Sequence, residues 1–142
     1  MSMRVLNNRY RLESDLGQGG MAQVYLAFDL RLKALRAVKV MKQQFSRDRR
    51  TLERFEREAQ AMAQLKHRNI TTVYDIGKDG DVVFMVMELL EGGSLQDRIE
   101  KHGPLHPKLA IEVILAMLEA LDEAHEKGII HRDVKPENIL IS

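Results

Sequence analysis

Through the first third of this chain the apolar residues recur mostly at every second position; helical spacing follows from Arg49 to Lys66, two further strand signals run from Asn69 to Met87, and beyond Ser94 the helical spacing takes over. A period of two belongs to a strand buried on one face and a period near 3.6 to an amphipathic helix, so the order of the two periods constrains the fold. It describes an α+β chain, with a sheet built first and helices added after it.

Tyr10-Arg11-Leu12 runs into Gly17-Gln18-Gly19-Gly20, and Val24, Leu26 and Phe28 then alternate, which reads as a hairpin. Leu35 to Met41 is a third strand, in which Val38 and Val40 share one face and Ala37, Lys39 and Met41 the other. A strand lysine is more often an edge or snorkelling residue than a functional one. Asn69 to Ile76 and Asp81 to Met87 are two more strands around the turn Gly77-Lys78-Asp79-Gly80, giving an expected five-stranded antiparallel sheet.

Between them, Leu52, Phe55, Ala59, Met62 and Leu65 form the apolar stripe of a helix spanning Arg49 to Lys66. With Leu52 at zero and about 100° per residue, the stripe covers about 220° to 360° and Glu58 falls inside it at about 240°. A core-facing carboxylate needs a cation, because burying it unpaired costs several kcal/mol. Glu53 and Arg57 lie outside the arc and are expected to pair at i, i+4. Ser94 with Asp97 three positions on can cap a short helix that Gly103-Pro104 ends. Pro107 to Lys127 is the strongest helix, with Pro107 in its first turn and Gly128 where a left-handed terminal residue belongs. Its apolar arc of about 220° is wider than one neighbour can cover. Ile129-Ile130 and Ile139-Leu140-Ile141 flank a polar loop, as a strand, a tight loop and a returning strand.

The chain has 142 residues, 44% hydrophobic and 30% charged, enough for a folded core but not for two full domains. Its 22 Lys and Arg against 21 Asp and Glu leave a formal charge of +1, which disfavours nucleic acid as a partner. No cysteine is present, so disulfides, thiolate nucleophiles and cysteine metal sites are excluded together. The longest apolar run, Val82 to Met87, is far short of a membrane span, and no signal segment opens the chain; a cytoplasmic location without a membrane segment is the expectation.

Gly17-x-Gly19-Gly20 alone is a weak signal, commoner as a hairpin turn than as a phosphate loop. It opens no helix, as a dinucleotide fingerprint must, and lacks the Gly-Lys-Ser/Thr of a P-loop. It remains a flexible hairpin whose amides can close over phosphates. Taken with Lys39, Glu58 and His131-Arg132-Asp133-Val134-Lys135-Pro136-Glu137-Asn138, in that order and spacing, the chain resembles the protein kinase family. In particular it resembles bacterial eukaryotic-like Ser/Thr kinases, whose glycine loop often reads Gly-x-Gly-Gly-Met and a small residue, as Gly17 to Ala22 does.

The resemblance implies a smaller lobe over residues 1–90, with glycine loop and hinge, and over 91–142 a partial second lobe ending after the catalytic loop. It implies ATP and Mg²⁺ as cofactors and a protein Ser/Thr hydroxyl as acceptor. Leu16, Gly17, Gly19 and Gly20 would cover the nucleotide, Val24 and Ala37 would roof the adenine, and Met87, Glu88, Leu89 and Leu90 would form the hinge. Lys39 would hold the α- and β-phosphates and pair with Glu58. Asp133 would orient the acceptor hydroxyl and take its proton, Lys135 would neutralise the moving phosphoryl group, and Asn138 would ligate Mg²⁺. Lys135 two residues after Asp133 looks like a Ser/Thr rather than a Tyr kinase. His131 is expected to brace the loop rather than act as a base, and His102, His106 and His125 lack the partners of a zinc site.

Two departures stand out. Ala22 replaces the third glycine of the family pattern, a mild change. No Asp-Phe-Gly occurs in the 142 residues, so the principal magnesium carboxylate of the family is missing. The expectation is therefore a truncated kinase whose isolated chain has negligible activity. The alternative is a catalytically inactive nucleotide-binding or interaction module, against which intact Asp133, Lys135 and Asn138 argue.

Overall fold

The computed structural model describes residues 4–128 apart from Gly19, Met21 and Glu91. Strands β1 (Val5–Leu6), β2 (Tyr10–Gln18), β3 (Ala22–Asp29), β4 (Ala34–Met41), β5 (Val73–Asp79) and β6 (Val82–Met87) form one antiparallel sheet in the order β1-β2-β3-β4-β6-β5. The sheet has six strands where five were expected. The additional strand exists because Asn7 and Asn8, at φ 51° and 56°, turn the chain so that Arg9 N–H reaches Leu6 O at 3.0 Å. Positive φ at both central residues is the type I′ geometry that Asn tolerates. Helices are α1 (Gln43–Ser46), α2 (Arg49–Ala63), α3 (Leu95–His102) and α4 (Pro107–Glu126). Among the described residues no helix is long and apolar enough to cross a membrane.

The described residues divide into two compact units, one running to Gln64 with 72–89, the other containing 65–71 and the residues from Leu90 on. In the first, strict alternation sends β6 to both sides of the sheet. Val83 and Met85 pack with Ala22, Met41, Val73 and the α2 residues Phe55 and Ala59, while Phe84 and Val86 pack with Leu6, Tyr10, Ala27 and Val38. Gly77 stands opposite Phe84, and a Cβ there would lie 2.4 Å from the ring's Cζ, so only glycine admits the ring.

The β3–β4 turn hangs on Asp29, which is 1% exposed. Its carboxylate accepts from Arg9 at 3.0 and 2.9 Å and from the Arg31 and Leu32 amides at 2.9 and 3.1 Å. The Arg9 guanidinium, helped by the two amides and opposed by burial, brings the Asp29 carboxyl down to about 2. Tyr10 donates to Asp75 at 2.8 Å, and burial first, then this bond, push its hydroxyl well above the ordinary tyrosine range.

In the second unit, α3 starts with a full capping box: Ser94 Oγ accepts from the Asp97 amide at 3.1 Å and Asp97 from the Ser94 amide at 2.9 Å. Gly103 closes it at φ 80°. Pro107 begins α4, and Gly128 follows it at φ 76° with its N–H on His125 O. Arg68 and Asn69 clip the 65–71 segment to α4, Arg68 through Glu119 at 2.9 Å and Asn69 through Ala116 O at 3.1 Å. Ile111, Ile114, Leu115 and Leu118 of α4 are each more than half exposed.

Candidate functional site

Residues directly opposite in an antiparallel ladder share a face, so the register alone places the expected nucleotide residues. Gly17 faces Val24, Val24 faces Lys39, and Lys39 faces Met85; the neighbouring row is Leu26, Ala37, Met87 and Val73. This is the face that carries Met41 and the α2 contacts. Val24, Ala37, Lys39 and Met87 are thus brought together by three adjacent strands. Lys39 is half-buried there between buried Ala37 and Met41.

The glycine segment between β2 and β3 starts with Gly17 at φ 147°, a conformation that favours glycine. Nothing lies within 4 Å of a Cβ built on Gly17 or Gly20, so the backbone there is open to a ligand. Asp15 ties the base of the loop, accepting from Gly17 N–H at 2.8 Å and from Gln23 Nε2 at 2.7 Å. Asp15 was missed from sequence; its one signal was an aspartate two residues before a glycine, the spacing of an Asx turn. Leu16 is half exposed. Gly19 lies outside the described residues, as do His131, Asp133, Lys135 and Asn138.

Glu58 is not on the apolar stripe. Its side chain is 60% exposed and meets Arg54 at 3.6 Å, and among the described residues no ion pair joins it to Lys39. The arc had been stretched by Leu65, which lies beyond the end of α2 at Ala63 and belongs to the other unit. Without Leu65 the stripe narrows to about 280°–360°, and Glu58 stands about 40° outside it. The expected Glu53–Arg57 pair is likewise replaced by Arg49–Glu53 at 3.2 Å.

At the expected hinge, Met87 ends β6 and Glu88 follows in extended pairing with Thr72. The Glu88 N–H donates to Thr72 O at 2.9 Å, and the Thr72 N–H donates to the Glu88 carboxylate at 3.2 Å. Leu89 and Leu90 are half-buried. Among the described residues no group of three His, Cys, Asp or Glu could hold a metal ion.

The family model for the protein kinase domain matches residues 10–142. This chain belongs to the protein kinase domain family. The kinase chain is 42% identical over 136 residues to the serine/threonine-protein kinase PrkC of Bacillus subtilis, covering 96% of this chain and 21% of that protein. It is 48% identical over 141 residues to PknB of Mycobacterium tuberculosis, covering 96% of this chain and 22% of that protein. Against PknL of the same organism the identity is 44% over 138 residues, with 97% and 35% covered. In structure it is similar to the M. tuberculosis PknI kinase domain, with a TM-score of 0.82, 28% identity, and 99% of this chain and 57% of that chain covered. The chain therefore spans about a fifth to a third of the curated relatives it matches. Its six-stranded sheet with helices has the protein kinase fold over the part of that domain it covers.

Proposed function

We propose that this chain is the nucleotide-holding part and the catalytic loop of an ATP-dependent protein Ser/Thr kinase, working where cytoplasmic ATP is available. One observation carries the reading. Lys39, a cation without a carboxylate partner among the described residues, stands on the same sheet face as Val24, Ala37 and Met87 and in the ladder row that runs through Val24 to Gly17, where the open glycine segment starts. An ammonium set among apolar side chains beside a glycine segment with open space above its backbone suits a polyphosphate tail, and the small or apolar row next to it suits a planar base. The same donor set supports ATP as the group held.

Bound ATP with Mg²⁺ supplies the γ-phosphoryl group. Lys39 holds the α- and β-phosphates, the glycine amides cover them, and the hinge backbone from Glu88 to Leu90 takes the base. Glu58 steadies Lys39 by exchanging Arg54 for it. Asp133 orients the Ser/Thr hydroxyl and accepts its proton, Lys135 offsets charge on the moving group, and Asn138 is the residue of this chain for Mg²⁺. Residues 1–90 and 91–142 divide this work as a nucleotide half and the start of a catalytic half.

The test is transfer of labelled γ-phosphate from ATP to Ser/Thr peptides by the full-length gene product. Asp133→Asn should lower the rate by about a hundredfold or more. Transfer that survives this substitution would remove Asp133 from the chemistry, and ATP binding with no transfer by the unsubstituted protein would favour the inactive binding module instead.

A further inference from the structure

The β2–β3 ladder carries one extra residue where the glycine segment begins. Asp15 faces Tyr25 and Gly17 faces Val24, which leaves Leu16 without an opposite residue, as in a β-bulge. Asp15 closes this bulge with both carboxylate oxygens. Oδ1 accepts from the Gly17 N–H at 2.8 Å and Oδ2 from Gln23 Nε2 at 2.7 Å, so one side chain holds the residue beyond the bulge and the strand across from it. Opposed residues share a face, so Asp15 lies on the face of Tyr25, as does Gln23 two residues away along β3, while Val24 and Lys39 belong to the other face. The carboxylate therefore grips the hairpin from behind the row proposed for the phosphates and does not line it. A Cβ on Gly17 would meet nothing within 4 Å, so side-chain packing does not fix the segment there and hydrogen bonds have to.

We infer that Asp15, braced by Gln23, is a positioning residue that acts through Gly17 to set the height of the glycine segment over the polyphosphate. The inference rests on the nucleotide reading above and adds to it a residue that touches no part of the ligand. A segment already held in place need not be ordered when the nucleotide arrives, and a displacement of about 1 Å at a phosphate is enough to weaken its contacts. Asparagine keeps an oxygen for the Gly17 N–H, and the Gln23 amide can rotate to offer its own oxygen to the new NH2 group. Asp15→Asn therefore restores both bonds without the charge. Asp15→Ala loses both, and Gln23→Met loses only the bond across the strands.

The experiment measures binding of Mg-ATP and of adenosine, which has the base and no phosphates, to the full-length protein, together with the kinetics of phosphoryl transfer. In Asp15→Ala, Mg-ATP should bind about three- to tenfold more weakly, the range of a net hydrogen bond, and adenosine less than about twofold more weakly. The KM for ATP should rise in step, with kcat changed less. Asp15→Asn should stay within about twofold of the parent in every reading. Gln23→Met should weaken Mg-ATP alone by about two- to threefold, and it supplies the comparison if the alanine variant does not fold. Equal losses for Mg-ATP and adenosine would make Asp15 a purely structural residue and overturn the inference. Unchanged Mg-ATP binding in the alanine variant, or in Gln23→Met where that variant stands in, overturns it too, as does an asparagine variant as weak as alanine. These results leave the nucleotide reading intact. A parent that binds neither Mg-ATP nor adenosine overturns both.

Discussion

Asp29→Asn isolates the one buried carboxylate of the described structure. The substitution keeps an oxygen that can accept from the Arg31 and Leu32 amides but removes the charge that meets Arg9 at two points. The folded carboxyl sits at about 2 against an ordinary 3.8, a drop of nearly two units. At about 1.4 kcal/mol per unit this corresponds to about 2 kcal/mol at neutral pH. Because the folded value lies below the unfolded one, that contribution is complete above 3.8 and is lost as the pH falls towards about 2. Urea unfolding of parent and variant should therefore differ by about 1–2 M in midpoint at pH 7. The gap should close between pH 4 and pH 2, near the values that bracket the titration. Other carboxylates titrate in this window too, but the parent-minus-variant difference cancels them. A gap that persists unchanged to pH 2, or is absent at pH 7, refutes the assignment of this stability to the Arg9–Asp29 pair.

Gly77→Ala should destabilise by about 1–3 kcal/mol in thermal or urea unfolding, since its Cβ would stand 2.4 Å from the buried Phe84 ring; an unchanged midpoint would mean that the ring has room to move. Ser94→Ala should cost about 1 kcal/mol and speed amide exchange at the start of α3, whose capping box it removes; equal exchange rates would contradict the cap. Arg54→Ala should change phosphoryl transfer less than about twofold, because an exposed i, i+4 pair holds Glu58 with only about 0.3–0.5 kcal/mol. Glu58→Gln should lower transfer far more; if the two variants behave alike, Glu58 has no role at Lys39.

Much of the fold was legible because it depends on local chemistry. Ser94 with Asp97, Pro107 and Gly128 mark helix ends by capping and backbone rules that act within one turn, and all three stand where the sequence placed them. Strand alternation likewise put Lys39 on the face of Ala37 and Met41. Features set by distant partners were not legible. Glu58 was misplaced because a helical wheel cannot show that α2 ends before Leu65. β1 was not legible because two residues, Val5 and Leu6, show no period of their own and become a strand only by pairing with β2 across the Asn7-Asn8 turn. The Thr72–Glu88 exchange joins residues 16 positions apart, and only the β5–β6 register reveals it.

The most direct measurement of the central claim is chemical labelling of the full-length protein with an ATP analogue that carries an acyl phosphate, followed by peptide mapping. Lys39 should be acylated ahead of exposed lysines such as Lys33 and should be protected by excess Mg-ATP. Labelling spread over the surface lysines, with Lys39 unmodified or unprotected, would contradict a polyphosphate site at this residue.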